Sequence, residues 1–293
     1  MVRVHEQVPD EDHLGDRQQA VHEVDGERHP HPVQLPDPQE AEDRRVQEHE
    51  AVQHAVQDQV VPACVLLPGA GLEVVDPGQD LNKKADVLLE KGQVARLGRI
   101  GAQEGWRVIN VSGMYVMPGL IDMHVHLREP GQEYKETIET GARAAVAGGF
   151  TSVACMPNTD PVNDCEAITR YILEKARQAN LANVYPVGAI TKGSNGKELA
   201  EIGEMVRNGA VAISDDGKPV KNNQIMRRAM EYSRIFDVPV LDHCEDCDLA
   251  AHGVMNEGAV STELGLRGMH AAAEELDVAR DIMLSRLTGA RVH

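Results

Sequence analysis

The feature that most limits the fold is a rhythm that begins at Tyr115. From there to the end, short apolar runs alternate with amphipathic helical stretches. The apolar runs are 116–126, 152–156, 184–190, 211–214, 238–242 and a last one around Val292. Helical periodicity falls at about 133–147, 165–179, 197–208, 223–236 and 272–287. Strands that alternate with helices imply a parallel sheet covered by its crossover helices. Six such units fit an α/β (β/α)8 TIM-like barrel that is incomplete here, or an open doubly wound sheet. No glycine-rich nucleotide fingerprint follows the first strand, which favours the barrel.

Two further regions precede the barrel. Residues 72–76, 86–89, 93–97 and 107–111 read as short strands, with turns at Asp76-Pro77-Gly78 and Lys91-Gly92. Residues 63–115 are therefore expected to form a small β-sandwich portion, and 116–293 the barrel. Residues 1–62 differ from both. The first 60 lack Ser, Thr, Asn, Lys, Ile, Phe, Tyr and Trp and hold seven of the 13 histidines. Their composition predicts a disordered or non-native segment rather than a packed domain.

Bulk properties narrow the function. The formal charge of −18 argues against nonspecific nucleic-acid binding, which depends on neutralising phosphates. Aromatic residues at 3% leave few platforms for stacking bases. No apolar run reaches the ~20 residues of a membrane span, and the start lacks the pattern of a secretory signal. Five scattered cysteines fit a reducing, cytoplasmic setting better than a disulfide framework.

The reactive side chains gather at predicted strand ends, where barrels of this kind keep their chemistry. His124 and His126 stand two apart on a strand, so both imidazoles face the same side and can share an ion. Asp215-Asp216-Gly217 follows the fourth strand and Asp242-His243-Cys244-Glu245 ends the fifth. Two histidines, an aspartate and a further histidine on three strands make a shell for one or two zinc-like ions. Taken singly, H-x-H is a weak motif, Asp215-Asp216 reads as an acidic turn, and His243 reads as a hydrogen-bonded core histidine. Cys244-x-x-Cys247 has no second pair to complete a structural zinc site. His252 and His270 carry no expected role.

Several of these segments resemble the signatures of dihydroorotases of the type I branch, within the amidohydrolase superfamily. They are His124-Val125-His126-Leu127-Arg128-Glu129-Pro130-Gly131, Gly148-Gly149-Phe150-Thr151, Met156-Pro157-Asn158-Thr159, Asp215-Asp216-Gly217-Lys218-Pro219-Val220 and Asp242-His243-Cys244-Glu245-Asp246. The resemblance runs from about 72 to 293 and implies a (β/α)8 barrel joined to a small β-sandwich. It implies a zinc-dependent cyclic amidohydrolase that interconverts N-carbamoyl-L-aspartate and L-dihydroorotate in pyrimidine (UMP) biosynthesis. On this chain it places His124 and His126 on the first Zn2+, Asp216 as ligand or bridge, and His243 on a second ion. Arg128 and Asn158 would grip the substrate carboxylate.

The resemblance also carries expectations about what lies outside the chain. It implies a further metal-binding histidine and a general acid/base aspartate beyond the C-terminus, so His293 is not expected to be a ligand. On that reading the 293-residue chain alone is expected to be poorly stable and nearly inactive. Two alternatives stand beside this one. A hydantoinase- or allantoinase-like amidase would bridge its metals with a carboxylated lysine, yet 210–214 holds no lysine. A non-catalytic dihydroorotase-like partner of aspartate carbamoyltransferase would have no use for the metal shell. Aspartate carbamoyltransferase as partner and a homo-oligomer at full length are both implied by the resemblance.

Overall fold

A computed structural model describes residues 64–67, 73–111 and 113–293, all within one compact unit. The expectation for residues 1–62 lies outside the described residues. The chain begins with β1 (Cys64–Leu67), β2 (Glu73–Asp76), β3 (Leu81–Lys83), β4 (Asp86–Glu90), β5 (Gln93–Gly98), β6 (Arg107–Asn110) and β7 (Tyr115–Val116). These form two small sheets, in the orders β5-β4-β1-β6 and β3-β2-β7. The β4–β5 hairpin turns at Lys91 and Gly92, both with positive φ (50° and 73°), the conformation that tight hairpins demand. One apolar cluster joins the two sheets. Val74 from the second sheet meets Val87 from the first, with Leu81, Leu97, Ile109 and Val116 around them.

The second half opens with β8 (Leu120–Val125), α1 (Ile138–Ala147), β9 (Phe150–Cys155), α2 (Glu166–Ala179), β10 (Asn183–Gly188), α3 (Ile202–Arg207) and β11 (Ala212–Ile213). Next come α4 (Asn223–Ser233), α5 (Cys247–Ala250), β12 (Met255–Asn256), α6 (Ala259–Glu263), β13 (Gly268–Met269) and α7 (Ala272–Thr288). Strands β8 to β11 pair in parallel and in chain order. Two parallel bridges, Ile213 to Val240 and Val240 to Val292, carry the sheet on. The sheet curls as a half-barrel, with its helices as the outer layer.

The run expected as one strand over 116–126 is two, β7 and β8. Met117-Pro118-Gly119 separates them, because proline offers no N–H to a ladder. The fifth and sixth strands are reduced to the single bridges at Val240 and Val292. The expected helices are present, α1 starting later and α3 shorter than the periodicity suggests. Helix α1 starts where it does because Thr137 and Thr140 form a capping box, each hydroxyl accepting the other's backbone N–H (3.1 and 3.0 Å).

The core lies between sheet and helices. Val187, Ile190, Ile202, Met205, Ile213, Met226, Met230 and Val240 are wholly buried. At the sheet's outer limits the packing ends. Leu120, Ile121 and Met123 on β8, and Leu276, Ile282, Met283 and Leu287 on α7, are exposed. No helix among the described residues is long and apolar enough to cross a membrane.

Candidate metal centre

Strand β8 ends by delivering His124 and His126 to the same mouth of the half-barrel. Their rings lie 5.2 Å apart between centroids. Across the sheet, the segment after β11 brings Asp216 between them. Its Oδ1 is 3.0 Å from His124 Nε2 and its Oδ2 3.8 Å from His126 Nε2. The Asp216 side chain is only 8% exposed, so its charge has little water to screen it. Two imidazole nitrogens and a carboxylate, all within 4.8 Å of one another, form a donor set suited to a zinc-like ion.

Asn158, after β9, locks this group. Its Oδ1 lies 3.0 Å from His126 Nδ1, and its Nδ2 donates to Asp216 Oδ2 at 2.7 Å. An amide oxygen can only accept, so His126 carries its proton on Nδ1. That leaves the Nε2 lone pair free for a metal. The family resemblance implied that Asn158 grips the substrate carboxylate. In the structure its contacts are to His126 and Asp216, and its second amide hydrogen has no partner among the described residues.

The adjacent Asp215 has a different occupation. Its side chain accepts backbone N–H bonds from Ile190 and Thr191, both 2.9 Å, and the Thr191 hydroxyl. Burial pushes its carboxyl above the ordinary aspartate range, while these hydrogen bonds pull it back. Asp215 thus ties β10 to β11 and leaves Asp216 facing the histidines.

His243 stands apart from that group. Its Nε2 is 3.7 Å from Glu245 Oε2. It does share with His124, Asp216 and His293 the lining of an open cleft of about 570 Å³. Arg128 is half-buried, with φ at +58°, and its side chain has no partner among the described residues. Next to it, Gly131 has φ +94°, and a Cβ there would meet the Asp160 carbonyl oxygen at 1.8 Å. Asp160 N–H donates to the Pro130 carbonyl (2.9 Å), so the loops bearing Arg128 and Asn158 are in direct contact.

Sequence reasoning missed a second cluster beside the cleft. Arg280 of α7 reaches Asp242 (2.6 Å), Asp281 (2.9 Å) and Asp277 (3.1 Å), and donates to the Val220 carbonyl (3.1 Å). Burial, followed by the nearby Asp281 carboxyl, pushes Asp242 up to about 8 against the pull of Arg280. Cys244 Sγ lies 3.9 Å from Asp242 and from Asp281, and burial pushes its thiol up to about 12. The signal was present as Asp277-x-x-Arg280-Asp281, acids and base on one helical face. Cys244 is half-buried and Cys247 exposed, and both are free thiols.

Fold and centre together define an α/β half-barrel with a histidine–carboxylate cluster, able to hold a metal ion, at its strand ends. The sequence profile of dihydro-orotase-like proteins matches residues 113–293, and the chain belongs to that family. A dihydroorotase of Pelobacter propionicus is 54% identical over 221 residues, covering 75% of this chain and 52% of that protein. A dihydroorotase of Syntrophotalea carbinolica is 57% identical over 220 residues, with the same shares. The chain thus spans about half the length of the curated relatives it matches. Among solved structures, an L-hydantoinase (dihydropyrimidinase) of Arthrobacter aurescens aligns with TM-score 0.62 at 20% identity, over 78% of this chain and 51% of its own. A D-hydantoinase (dihydropyrimidinase) of a Thermus species aligns at 0.58 and 24% identity, with the same coverage. At these identities they speak for the TIM-barrel fold alone.

Proposed function

We propose that this chain carries the metal half of a dihydroorotase site, for the reversible conversion of N-carbamoyl-L-aspartate to L-dihydroorotate. The observation that carries the reading is the convergence of His124, His126 and Asp216 within 4.8 Å, in a chain more than half identical to proteins called dihydroorotase. These three side chains would hold a zinc ion, and His243 would serve a second ion. Zinc, when bound, supplies Lewis acidity and an activated water for opening the ring amide.

The chain's own residues do the rest. Asn158 keeps the His126 proton on Nδ1 and holds Asp216 in place. Its free amide hydrogen is available to the substrate. Arg128 takes the substrate carboxylate, for which a guanidinium offers two parallel N–H donors. In a protein of net charge −18, a local cation is needed to hold an anionic substrate. The same reading makes the protein a cytoplasmic enzyme of pyrimidine synthesis. As a whole it is a homo-oligomer, with aspartate carbamoyltransferase as partner.

A ligand panel tests this. The zinc-loaded chain is titrated with N-carbamoyl-L-aspartate, L-dihydroorotate, hydantoin and allantoin. The proposal expects zinc-dependent binding of the first two. Preference for hydantoin or allantoin, or binding that ignores zinc, contradicts it.

A further inference from the structure

Glu129 raises a question of charge. It directly follows Arg128, so a carboxylate stands where it could neutralise the guanidinium proposed to receive the substrate. It does not do so, because its oxygens are otherwise engaged. Oε2 accepts the backbone N–H of Ile138, the first residue of α1, at 2.9 Å. Oε1 accepts the Tyr171 hydroxyl at 3.0 Å and the Lys175 ammonium at 3.1 Å. Tyr171 and Lys175 are one turn apart on α2, so both project toward one point. The Glu129 side chain is 7% exposed, and burial without these donors would be costly.

The carboxyl responds to this company. Burial pushes it up, but the Ile138 N–H, Lys175 and Tyr171 together hold it below the ordinary glutamate range. Glu129 is thereby kept ionised and facing away from its neighbour. Leu127, on the other side of Arg128, is buried in the core at 5% exposure. The two residues flanking Arg128 are therefore both anchored inward, while Arg128 itself sits in the left-handed region. That backbone conformation is unfavourable for a side chain with a Cβ and persists only where the surroundings hold it. The anchors reach from β8 to α1 and α2, all elements of the rigid scaffold.

We propose that Tyr171 and Lys175 are positioning residues for carboxylate recognition, acting through Glu129. They sequester its charge and pin the 127–131 segment, leaving the Arg128 guanidinium free for an anionic ligand. The inference rests on the reading of Arg128 as the carboxylate anchor.

Its test uses two ligands that differ only in that group: L-dihydroorotate, and 5,6-dihydrouracil, which lacks the carboxylate. Binding to the zinc-loaded 293-residue chain is measured for the wild type, Tyr171→Phe, Lys175→Met, the double variant and Lys175→Arg. The double variant is expected to bind dihydroorotate about tenfold more weakly, the order of loss from a misplaced anchor, while dihydrouracil binding holds steady. Lys175→Arg, which keeps the charge on Glu129, is expected to restore most of the loss. Equal losses for both ligands, or no loss, overturn the inference and leave the functional reading intact. A wild-type chain that does not distinguish the two ligands overturns both. A second measurement needs no ligand: amide exchange at Glu129 and Ile138 is expected to quicken in the double variant, and unchanged exchange overturns the pinning role.

Discussion

Replacing Arg280 with methionine removes the one cation, among the described residues, that contacts the carboxylates of Asp242, Asp277 and Asp281. The side chains of Asp242 and Asp281 are 1% and 3% exposed, and that of Asp277 is 15% exposed. Methionine fills a similar volume but returns none of the charge. Breaking a buried pair on one side costs about 3–5 kcal/mol, because the remaining charge has neither water nor partner. For a protein of this size each kcal/mol moves Tm by ~2–4 °C, so Arg280→Met is expected to lower Tm by roughly 6–20 °C. The assay is thermal unfolding by circular dichroism, with a chelator present to keep metal out of the comparison.

A pH series adds a sign to the size. The Asp242 carboxyl is raised from 3.8 to about 8, so its protonated form favours the folded state. That contribution is complete below pH ~4 and is lost as pH rises to about 8. Arg280 offsets part of the loss by attracting the ionised form, so the deficit of Arg280→Met is expected to widen toward alkaline pH. Arg280→Lys keeps a charge but not the planar fork that reaches three carboxylates, and is expected to fall between wild type and Arg280→Met. A Tm within ~2 °C of wild type for Arg280→Met, at every pH, refutes the reasoning that this cluster depends on its arginine.

Other expectations follow from the same geometry. Asn158→Ala releases the His126 tautomer and is expected to weaken zinc binding by about 10–100-fold, measured by competition with a chromophoric chelator. Gly131→Ala puts a Cβ against the Asp160 carbonyl at a φ of +94°, and is expected to cost more than ~2 kcal/mol in urea unfolding. Met205→Ala empties a site that is wholly buried between α3 and β10, and is expected to cost about 2–5 kcal/mol. Glu129 is held below 4.5, so the stability it confers is present above that pH and fades as pH falls through its folded value; Glu129→Gln is expected to flatten that acid limb in a pH series of unfolding midpoints.

Much of the architecture was legible because burial leaves a period in the sequence. Parallel strands covered on both faces read as apolar runs, and the helices between them read as amphipathic stripes. What periodicity could not register was local pairing. Val240 sits in an apolar run like any strand, yet it makes only isolated bridges, to Ile213 and Val292, and such pairing depends on neighbours and not on residue type. At the site, H-x-H was legible because strand geometry alone puts both rings on one side. Asp215 and Asp216 were not separable by sequence. Two adjacent acids look alike until the backbone N–H groups of Ile190 and Thr191 claim one of them. Asn158 was found through a motif, but its hold on His126 and Asp216 joins residues 32 and 58 positions away, which no local pattern records. Glu129 likewise reads as part of a signature, and no local pattern records the partners that hold its carboxylate, Ile138, Tyr171 and Lys175.

The most direct test of the central claim is a zinc count on the purified chain by mass spectrometry, with His124→Ala, His126→Ala and Asp216→Asn in parallel. The account predicts bound zinc in the wild type and its loss in each of the three variants, with folding preserved by circular dichroism. A chain that holds no zinc, or one whose zinc survives all three substitutions, contradicts it.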